Sequence, residues 1–518
     1  MNGLKRTRAQ TLSFAGGNHS AWKHCRKVFK NAEGWVKLPN FVRLDLVSMH
    51  EEWRPYENES EHGDLVRRFE GALRNGGAGF FDVEELEALL DHFMEARQHD
   101  KGRQVLKIGL ALHPLSLTLQ LREAQFMAVT GQHVKAVPRL KRLLELEPGN
   151  DEIHTALASI YSQMQEHALA IAHFKAALKT VDREFRQDVL LDLAFEYEHM
   201  SDWRQAVRYL KMALEENPLN EGAVYELSFC FEQLGQFTDA VKYLEQFLDD
   251  QPYSFGAWYN LGNIQSQRGR YADAIEAFDF ALAIEDEFAP AYLQKAEVLM
   301  QLERYDEALE AYRDSIAIEP EGATPWCYLG ECLEKLERWD EAFHAYHEAL
   351  SRDPLLADGH VGLGVLADQR TEYREALAHF QRAVELEPGH ADYRLLLGQA
   401  FSKLEQHEAA EREYLAAVQA DPKLTDAWLE RLDHLQLRGL HKEALTVVEE
   451  ALAHVPDDAD VLYRKFLSLY ALRRDGEAFV LLEHLLMHHF DGATTLLTLY
   501  PALANDARFM DRYERFKP

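Results

Sequence analysis

Small and apolar residues recur along this chain at intervals of 34 residues. Alanine keeps one register over most of the chain, with a single two-residue shift near Thr180–Arg186. A residue this small, repeated in register, indicates places where two helix backbones approach too closely for a larger side chain. The alanines in this register are Ala136, Ala170, Ala206, Ala240, Ala274, Ala308, Ala342, Ala376, Ala410, Ala444 and Ala478.

Each 34-residue period contains two helical patterns. In residues 255–288 the first pattern ends at Gly269, which supplies a turn, and the second runs to the place of a recurring proline. That proline ends the second helix because the residue before a proline avoids the α region. A helix pair this short cannot bury its apolar side alone, so successive pairs are expected to stack. The helix-spaced positions are Trp258, Leu261, Gly262 and Gln265, followed by Tyr271, Ala274, Phe278, Ala281 and Leu282.

This pattern resembles the tetratricopeptide repeat (TPR), whose signature is W-x-x-L-G…G-x-Y…A…F…A-L…P. The stretch WYNLGNIQSQRGRYADAIEAFDFALAI at 258–284 carries the signature. The resemblance implies an all-α fold, a right-handed α-solenoid (superhelix) of TPR helix pairs with a C-terminal capping helix. The chain also resembles, more loosely, long cytoplasmic bacterial multi-TPR proteins of unknown activity. Twelve repeats are predicted to begin at residues 83, 117, 151, 187, 221, 255, 289, 323, 357, 391, 425 and 459.

The repeats divide the chain into four segments. Residues 1–48 carry nine Lys and Arg against two acids, a local charge of +7. They are expected to be a disordered extension, a segment upstream of a start at Met49, or a basic arm that docks on an acidic partner. Residues 49–82 are predicted to be a linker leading into the repeats. Residues 83–492 form the predicted solenoid, and residues 493–518 a capping helix.

Charge narrows the class of partner. The chain has 518 residues and a net charge of −31, which argues against nucleic acid or an anionic membrane as the main partner. Four cysteines are too few for a disulfide scaffold. No run of apolar residues is long enough for membrane insertion, and the first residues lack the apolar core of a secretory signal. The cytoplasm is the expected compartment.

No catalytic motif, and no motif for a cofactor, stands out. The glycine-rich RNGGAGFFD at 74–82 lacks the Lys and Ser or Thr of a phosphate-binding loop. His484 and His488 lie four residues apart on one predicted helix face, as zinc ligands can, which makes them a weak metal candidate. No third ligand is identifiable, so a solvated helix surface is the favoured interpretation. No metal and no enzymatic activity are therefore predicted.

The TPR resemblance implies a concave groove lined by the first helix of each repeat, at its second, fifth, sixth, ninth, twelfth and thirteenth positions. In repeats 187–334 this lining is aromatic, amide-bearing and acidic. Aromatic side chains bury large areas at low entropic cost, and amides can pair with an extended peptide backbone. The predicted peptide-binding residues are Asp192, Phe195, Tyr225, Glu226, Phe229, Tyr259, Asn260, Asn263, Gln294, Tyr328 and Glu331. Some of the aromatics could instead only support neighbouring repeats.

One known TPR ligand can be excluded by inspection. TPR proteins that hold the acidic C-terminal tails of chaperones use a clamp of Lys, Arg and Asn at fixed positions. If Asn263 took one clamp role, the other places would be occupied by Tyr259, Gln294, Thr324 and Tyr328. The carboxylate clamp is therefore absent, and the surrounding acids would repel a carboxylate tail.

These observations predict a non-enzymatic scaffold or adaptor that binds protein or peptide segments in the concave groove. The expected ligand carries apolar anchors and basic residues. Two alternatives remain open. The chain could be the targeting subunit of a separately encoded enzyme, or repeat ends and convex faces could pair in a self-assembling oligomer.

Overall fold

The computed structural model describes residues 59–74 and 79–517. The predicted basic segment 1–48 lies outside the described residues. The described part is all-α, as the sequence predicts, and it divides into two compact units, with the boundary in the chain between Glu287 and Phe288. Within the described ranges no helix is both long and apolar enough to cross a membrane.

Unit 1 contains thirteen described helices. In the predicted linker lies a helix that the repeat pattern did not predict, α1 (Glu59–Arg74), and twelve helices in six pairs follow it. The first helices of five pairs begin at the residues where repeats are predicted to begin. The exception starts at Arg183, four residues early, next to the two-residue shift. The pairs are α2 (Val83–Glu95) and α3 (His99–Leu112), α4 (Leu117–Val129) and α5 (His133–Leu146), α6 (Asp151–Gln163) and α7 (His167–Ala177), α8 (Arg183–His199) and α9 (Trp203–Glu216), α10 (Glu221–Gln233) and α11 (Phe237–Asp250), and α12 (Phe255–Gln267) and α13 (Tyr271–Ile284).

Unit 2 continues the pattern with six more pairs and a different ending. The predicted capping segment over 493–518 is helical but divided, because Pro501 interrupts the helix and three short elements cover this end. The pairs are α14 (Ala289–Gln301) and α15 (Tyr305–Ile318), α16 (Ala323–Lys335) and α17 (Trp339–Arg352), α18 (Ala357–Gln369) and α19 (Tyr373–Leu386), α20 (Ala391–Lys403) and α21 (His407–Ala420), α22 (Thr425–Leu437) and α23 (His441–His454), and α24 (Ala459–Ala471) and α25 (Asp475–His488). The terminal elements are α26 (Phe490–Leu499), a 3₁₀ turn (Pro501–Asn505) and α27 (Ala507–Phe516).

The end elements close the apolar cores of their units. In unit 1, Phe69 of α1 is fully buried, with its ring 5.7 Å from that of Phe81. In unit 2, Phe509 of α27 is fully buried, with its ring 5.9 Å from that of Phe466. Both contacts cover apolar surface that a terminal repeat would otherwise expose, which is what the end of a repeat stack requires.

Packing within a pair explains the small residue at the eighth position of the repeat. A methyl group on Gly262 would lie 2.5 Å from the ring of Phe278 in the second helix, so no larger residue fits. In the pair α22–α23 the sizes are exchanged: Leu432 occupies the eighth position and faces the smaller Val448, and both are fully buried. The larger side chain thus lies in the first helix here and in the second helix of α12–α13, so a small residue is needed at the eighth position only where its partner is large.

The fourth position of the first helix links a pair to the loop before it. Trp258 Nε1 donates a hydrogen bond to the carbonyl of Pro252 at 2.9 Å, and His154 Nε2 lies 3.2 Å from the carbonyl of Pro148. In the tautomer whose Nε2 donates to that carbonyl, Nδ1 of His154 is an acceptor. This Nδ1 lies 2.9 Å from Nδ1 of His173 in the second helix. The two histidines thus form a hydrogen-bonded pair.

Candidate functional site

We call the surface formed by the second, fifth, sixth, ninth and twelfth positions of the first helices the inner face. In unit 1 it is built mainly from α8, α10 and α12. Asp192, Glu226 and Asn260 share the sixth position of three consecutive repeats. Phe195, Phe229 and Asn263 share the ninth.

Hydrogen bonds between neighbouring first helices hold this face together. Glu221 at the start of α10 accepts from Ser254 Oγ and from the backbone N–H of Gly256, both at 3.0 Å. A methyl group on Gly256 would lie 2.2 Å from the Glu221 carboxylate, so the contact requires glycine. At the other end of the same helices, Gln267 donates to Glu232 at 2.7 Å. These bonds fix the register of α10 against α12.

The predicted binding residues of unit 1 differ in exposure. Phe229 has an exposed fraction of 37%, the largest among the aromatic residues predicted there, and its ring lies edge-on to that of Trp203. Tyr259 is 3% exposed, and its ring packs 5.9 Å from that of Phe278. Tyr259 therefore presents little surface and mainly supports its own helix pair. Half-buried positions are occupied by Asp192, Phe195, Tyr225, Glu226 and Asn263.

Asn263 carries the unusual atom of this face. Its Oδ1 atom is buried without a hydrogen-bond partner among the described residues. One turn earlier on α12, Asn260 is 4% exposed. Buried polar groups in proteins are nearly always hydrogen-bonded, and leaving one unpaired costs about 1–3 kcal/mol. The unpaired Oδ1 atom of Asn263 is a local cost that the fold alone does not explain.

The acidic residues of unit 1 concentrate on α8. Burial, followed by the neighbouring Asp188 and Glu196 carboxylates, raises the pKa of Asp192 to about 6. Neither Asp188 nor Asp192 forms an ion pair with a described residue. Glu196 lies 2.8 Å from Nδ1 of His167. The first helix of this repeat thus presents a pair of acids, one turn apart, without a cation beside them.

In unit 2 the inner face carries a second group of carboxylates, on α14, α16 and α18. Burial raises the pKa of Glu297 to about 8, partly offset by a hydrogen bond from Gln294 and reinforced by Glu331. Burial also raises the pKa of Glu331, which lies at the same repeat position on α16. Tyr328 is half-buried, and along the chain it lies between Glu297 and Glu331. Its ring centroid lies 6.2 Å from that of Tyr312.

Tyrosines from neighbouring helices hold two further carboxylates that the prediction of binding residues missed. Tyr346 in α17 donates to Glu334 at 2.5 Å, and its ring occupies the space beside Gly362, where an added methyl group would lie 2.2 Å from it. Tyr393 donates to Asp358. Gly362 lies at the sixth position of the repeat that begins at residue 357, and this glycine is the sequence feature that could have indicated the ring of Tyr346 beside it.

The predicted metal candidate gains no further ligand. The rings of His484 and His488 are 4.8 Å apart on the exposed side of α25. In the ranges 59–74 and 79–517, no three His, Cys, Asp or Glu side chains are placed to hold a metal ion. The three cysteines of these ranges, Cys230, Cys327 and Cys332, are free and buried.

Stacked helix pairs with a recurring small residue define the class of this protein, an α-solenoid. Sequence comparison identifies the family. Models described as tetratricopeptide repeat match residues 151–180, 191–244, 231–290, 293–357 and 361–425. The chain belongs to the tetratricopeptide-repeat family. No curated protein matches it.

Several solved structures are similar to this chain. The APC/C hetero-tetramer Cut9–Hcn1 shares 15% identity with it, over 80% of this chain and 96% of that one, with a TM-score of 0.41. Yeast Tom70 shares 14%, over 75% and 95%, with a TM-score of 0.40. YrrB, described as a TPR protein with an unusual peptide-binding site, shares 23%, over 36% and 97%, with a TM-score of 0.30.

Proposed function

We propose that this chain is a non-enzymatic scaffold that binds an extended segment of another protein on the inner face of unit 1. The observation that carries the proposal is the buried Oδ1 atom of Asn263, which has no hydrogen-bond partner among the described residues. A ligand that pairs with this amide removes an unfavourable term of about 1–3 kcal/mol from the free protein. A ligand is therefore expected to bind this face in preference to a surface whose polar groups all have hydrogen-bond partners.

The chemistry of the two amides suits a peptide backbone. An asparagine side chain offers one acceptor and two donor hydrogens, so it can pair with both the N–H and the C=O of a peptide group. Asn260 and Asn263 are separated by three residues on α12 and therefore lie on the same side of the helix. Together they can fix the direction and register of an extended segment.

Neighbouring side chains favour particular residues in that segment. Phe195 and Phe229 occupy the same position in successive repeats and offer aromatic surface to an apolar anchor. Asp188 and Asp192 favour a Lys or Arg, because a cation offsets the cost of holding the partly buried Asp192 carboxylate charged. The proposed partner is therefore a protein segment with both apolar and basic residues.

The proposal is tested with peptides selected from a random library on the immobilised full chain. Replacing Asn263 with Leu keeps the number of side-chain heavy atoms and removes the amide. Affinity for the selected peptides should fall by about 5- to 150-fold, the equivalent of about 1–3 kcal/mol. Thermal stability should stay the same or increase, because a buried unpaired amide has been replaced by an apolar side chain.

A matched control is available on a second helix. Gln381 is an exposed amide on α19, and Gln381→Leu makes the same chemical change away from the inner face. The Gln381→Leu variant should bind the selected peptides with the same affinity as the wild type. Peptides that bind the Asn263→Leu variant as tightly as the wild type would show that this amide does not contribute to the binding site.

A further inference from the structure

The exposed side of α25 carries two histidines together with two apolar residues. Val480 and Met487 have exposed fractions of 72% and 62%, and His484 and His488 are exposed as well. Their spacing of i, i+4, i+7 and i+8 places these four residues along one stripe of the helix. Single exposed apolar residues are common, but two that share a stripe with a pair of histidines form a continuous surface that can contact a partner.

The two histidines have the spacing of zinc ligands. Their ring centroids are 4.8 Å apart, and a separation of four residues on a helix allows two imidazoles to bind the same zinc ion. A structural zinc ion takes four ligands in a tetrahedron. In the ranges 59–74 and 79–517, no third His, Cys, Asp or Glu joins the pair. The described part of one chain therefore supplies two of the four ligands that such a site needs.

The acids of α25 are engaged with arginines of the same chain. The pairs are Asp475 with Arg508, Glu477 with Arg474 and Glu483 with Arg512. Two copies of a chain with a net charge of −31 repel each other as a whole. The paired acids reduce that repulsion at α25, and a divalent cation between two copies would reduce it further.

We propose that a second copy of this chain completes the site, so that His484 and His488 of both copies hold one zinc ion between two α25 helices. A two-fold axis through the metal turns two identical histidine pairs into four ligands, which is the self-complementary geometry of a C2 dimer. Val480 and Met487 then contact the apolar side chains of the other copy. The inference concerns unit 2 and is independent of the proposed peptide binding in unit 1.

The dimer should depend on the metal. A contact through one stripe of one helix is smaller than the roughly 1,200–2,000 Å² that a stable protein interface buries, so the apolar residues alone do not hold two copies together. Imidazole nitrogens bind zinc strongly enough to add the missing affinity. The full chain should therefore be monomeric without metal and dimeric with zinc.

Analytical ultracentrifugation of the full chain tests this expectation. Adding one Zn²⁺ per two chains to metal-free protein should double its mass, and EDTA should reverse the change. Native mass spectrometry should find one zinc ion in each dimer. Co²⁺ in place of Zn²⁺ should give the visible absorption of a tetrahedral site, which reports four ligands rather than two.

Histidine variants locate the metal. His484→Ala or His488→Ala leaves only two ligands in a dimer, so each variant should stay monomeric with zinc. Both side chains are exposed, and circular dichroism should show unchanged helicity. The matched control His344→Ala, His347→Ala removes two exposed histidines from α17 of the same unit and should leave zinc-dependent dimerisation unchanged.

A charge variant tests the contact through the stripe. Met487→Lys places a cation from each copy near the two-fold axis and the zinc ion, so it should weaken dimerisation by about tenfold or more. Val134→Lys makes a similar change at an exposed position of α5 and should have no effect.

Four results would overturn the inference. The first is a chain that stays monomeric with zinc, and the second is a dimer that forms equally well without metal. The third is zinc-dependent association that persists in the His484→Ala and His488→Ala variants. The fourth is binding of zinc to the monomer without association, which would show an adventitious ion only.

Discussion

Replacing Glu297 with Gln should change how the stability of α14 depends on pH. Burial raises the pKa of this carboxyl from an unperturbed 4.5 to about 8, so the folded protein binds the proton more tightly than the unfolded chain does. Between these two values the free energy of unfolding of this region falls as pH rises, because the folded state must either keep the proton or hold a buried charge. Glutamine resembles the protonated form and has no such dependence.

The size of the effect follows from the two pKa values. The interval from 4.5 to about 8 corresponds to an upper limit of about 5 kcal/mol, at about 1.36 kcal/mol per pKa unit. Water reaches this half-buried side chain, and solvent screening reduces the expected difference to about 1–2 kcal/mol. Glu297→Gln should therefore stabilise α14 by this amount at pH 8.5 and have little effect at pH 4.5.

Native-state hydrogen exchange is the suitable assay, because a repeat protein can open locally without global unfolding. The amides of α14 are compared in wild type and variant at both pH values, after correction for intrinsic exchange rates. Glu310→Gln, at an exposed position of α15, serves as the control and should show no pH-dependent difference. An advantage of the Glu297→Gln variant that is the same at pH 4.5 and pH 8.5 would refute the reasoning.

Three further predictions test the packing. Gly262→Leu should destabilise its helix pair by about 1–3 kcal/mol, as measured by urea unfolding, because the new side chain would overlap the ring of Phe278. Adding Phe278→Val should restore much of the lost stability. Thr371 has a φ of +62°, which a β-branched residue adopts at a cost, so Thr371→Gly should raise the midpoint of unfolding by the equivalent of about 1 kcal/mol. Burial lowers the pKa of His173, so the stability that its neutral ring contributes is complete above the unfolded pKa of 6.5 and is lost as pH falls through the folded pKa. Hydrogen exchange of α6 and α7 at pH 7.5 and pH 5.5 should show this loss, and His173→Phe should reduce it.

Much of the fold could be predicted because the period of 34 residues is imposed by packing. Phe255 begins a first helix where the repeat register places it, and Gly262 is small because a ring from its partner helix fills the space. Helix α1 was missed although Leu65, Phe69 and Leu73 have helical spacing, because they lie outside that register.

The candidate site could be predicted only in part. Repeat position places Asn263 and Tyr259 on or beside the inner face, but it does not indicate how buried each one is. Tyr259 is covered by its own helix pair, whereas the Oδ1 atom of Asn263 is buried without a partner among the described residues. Such differences depend on which neighbouring side chains reach the residue. Tyr346 illustrates the same point, since it reaches Glu334 only because Gly362 leaves space for its ring.

The central claim, that an external segment binds on the inner face of unit 1, is tested most directly by photocross-linking at Phe229. A benzoylphenylalanine placed there is compared with one at Leu415, on a second helix, because both side chains have an exposed fraction of 37%. A library-selected peptide should cross-link to position 229 and not to position 415. Equal cross-linking at both positions, or cross-linking at position 415 alone, would contradict the claim.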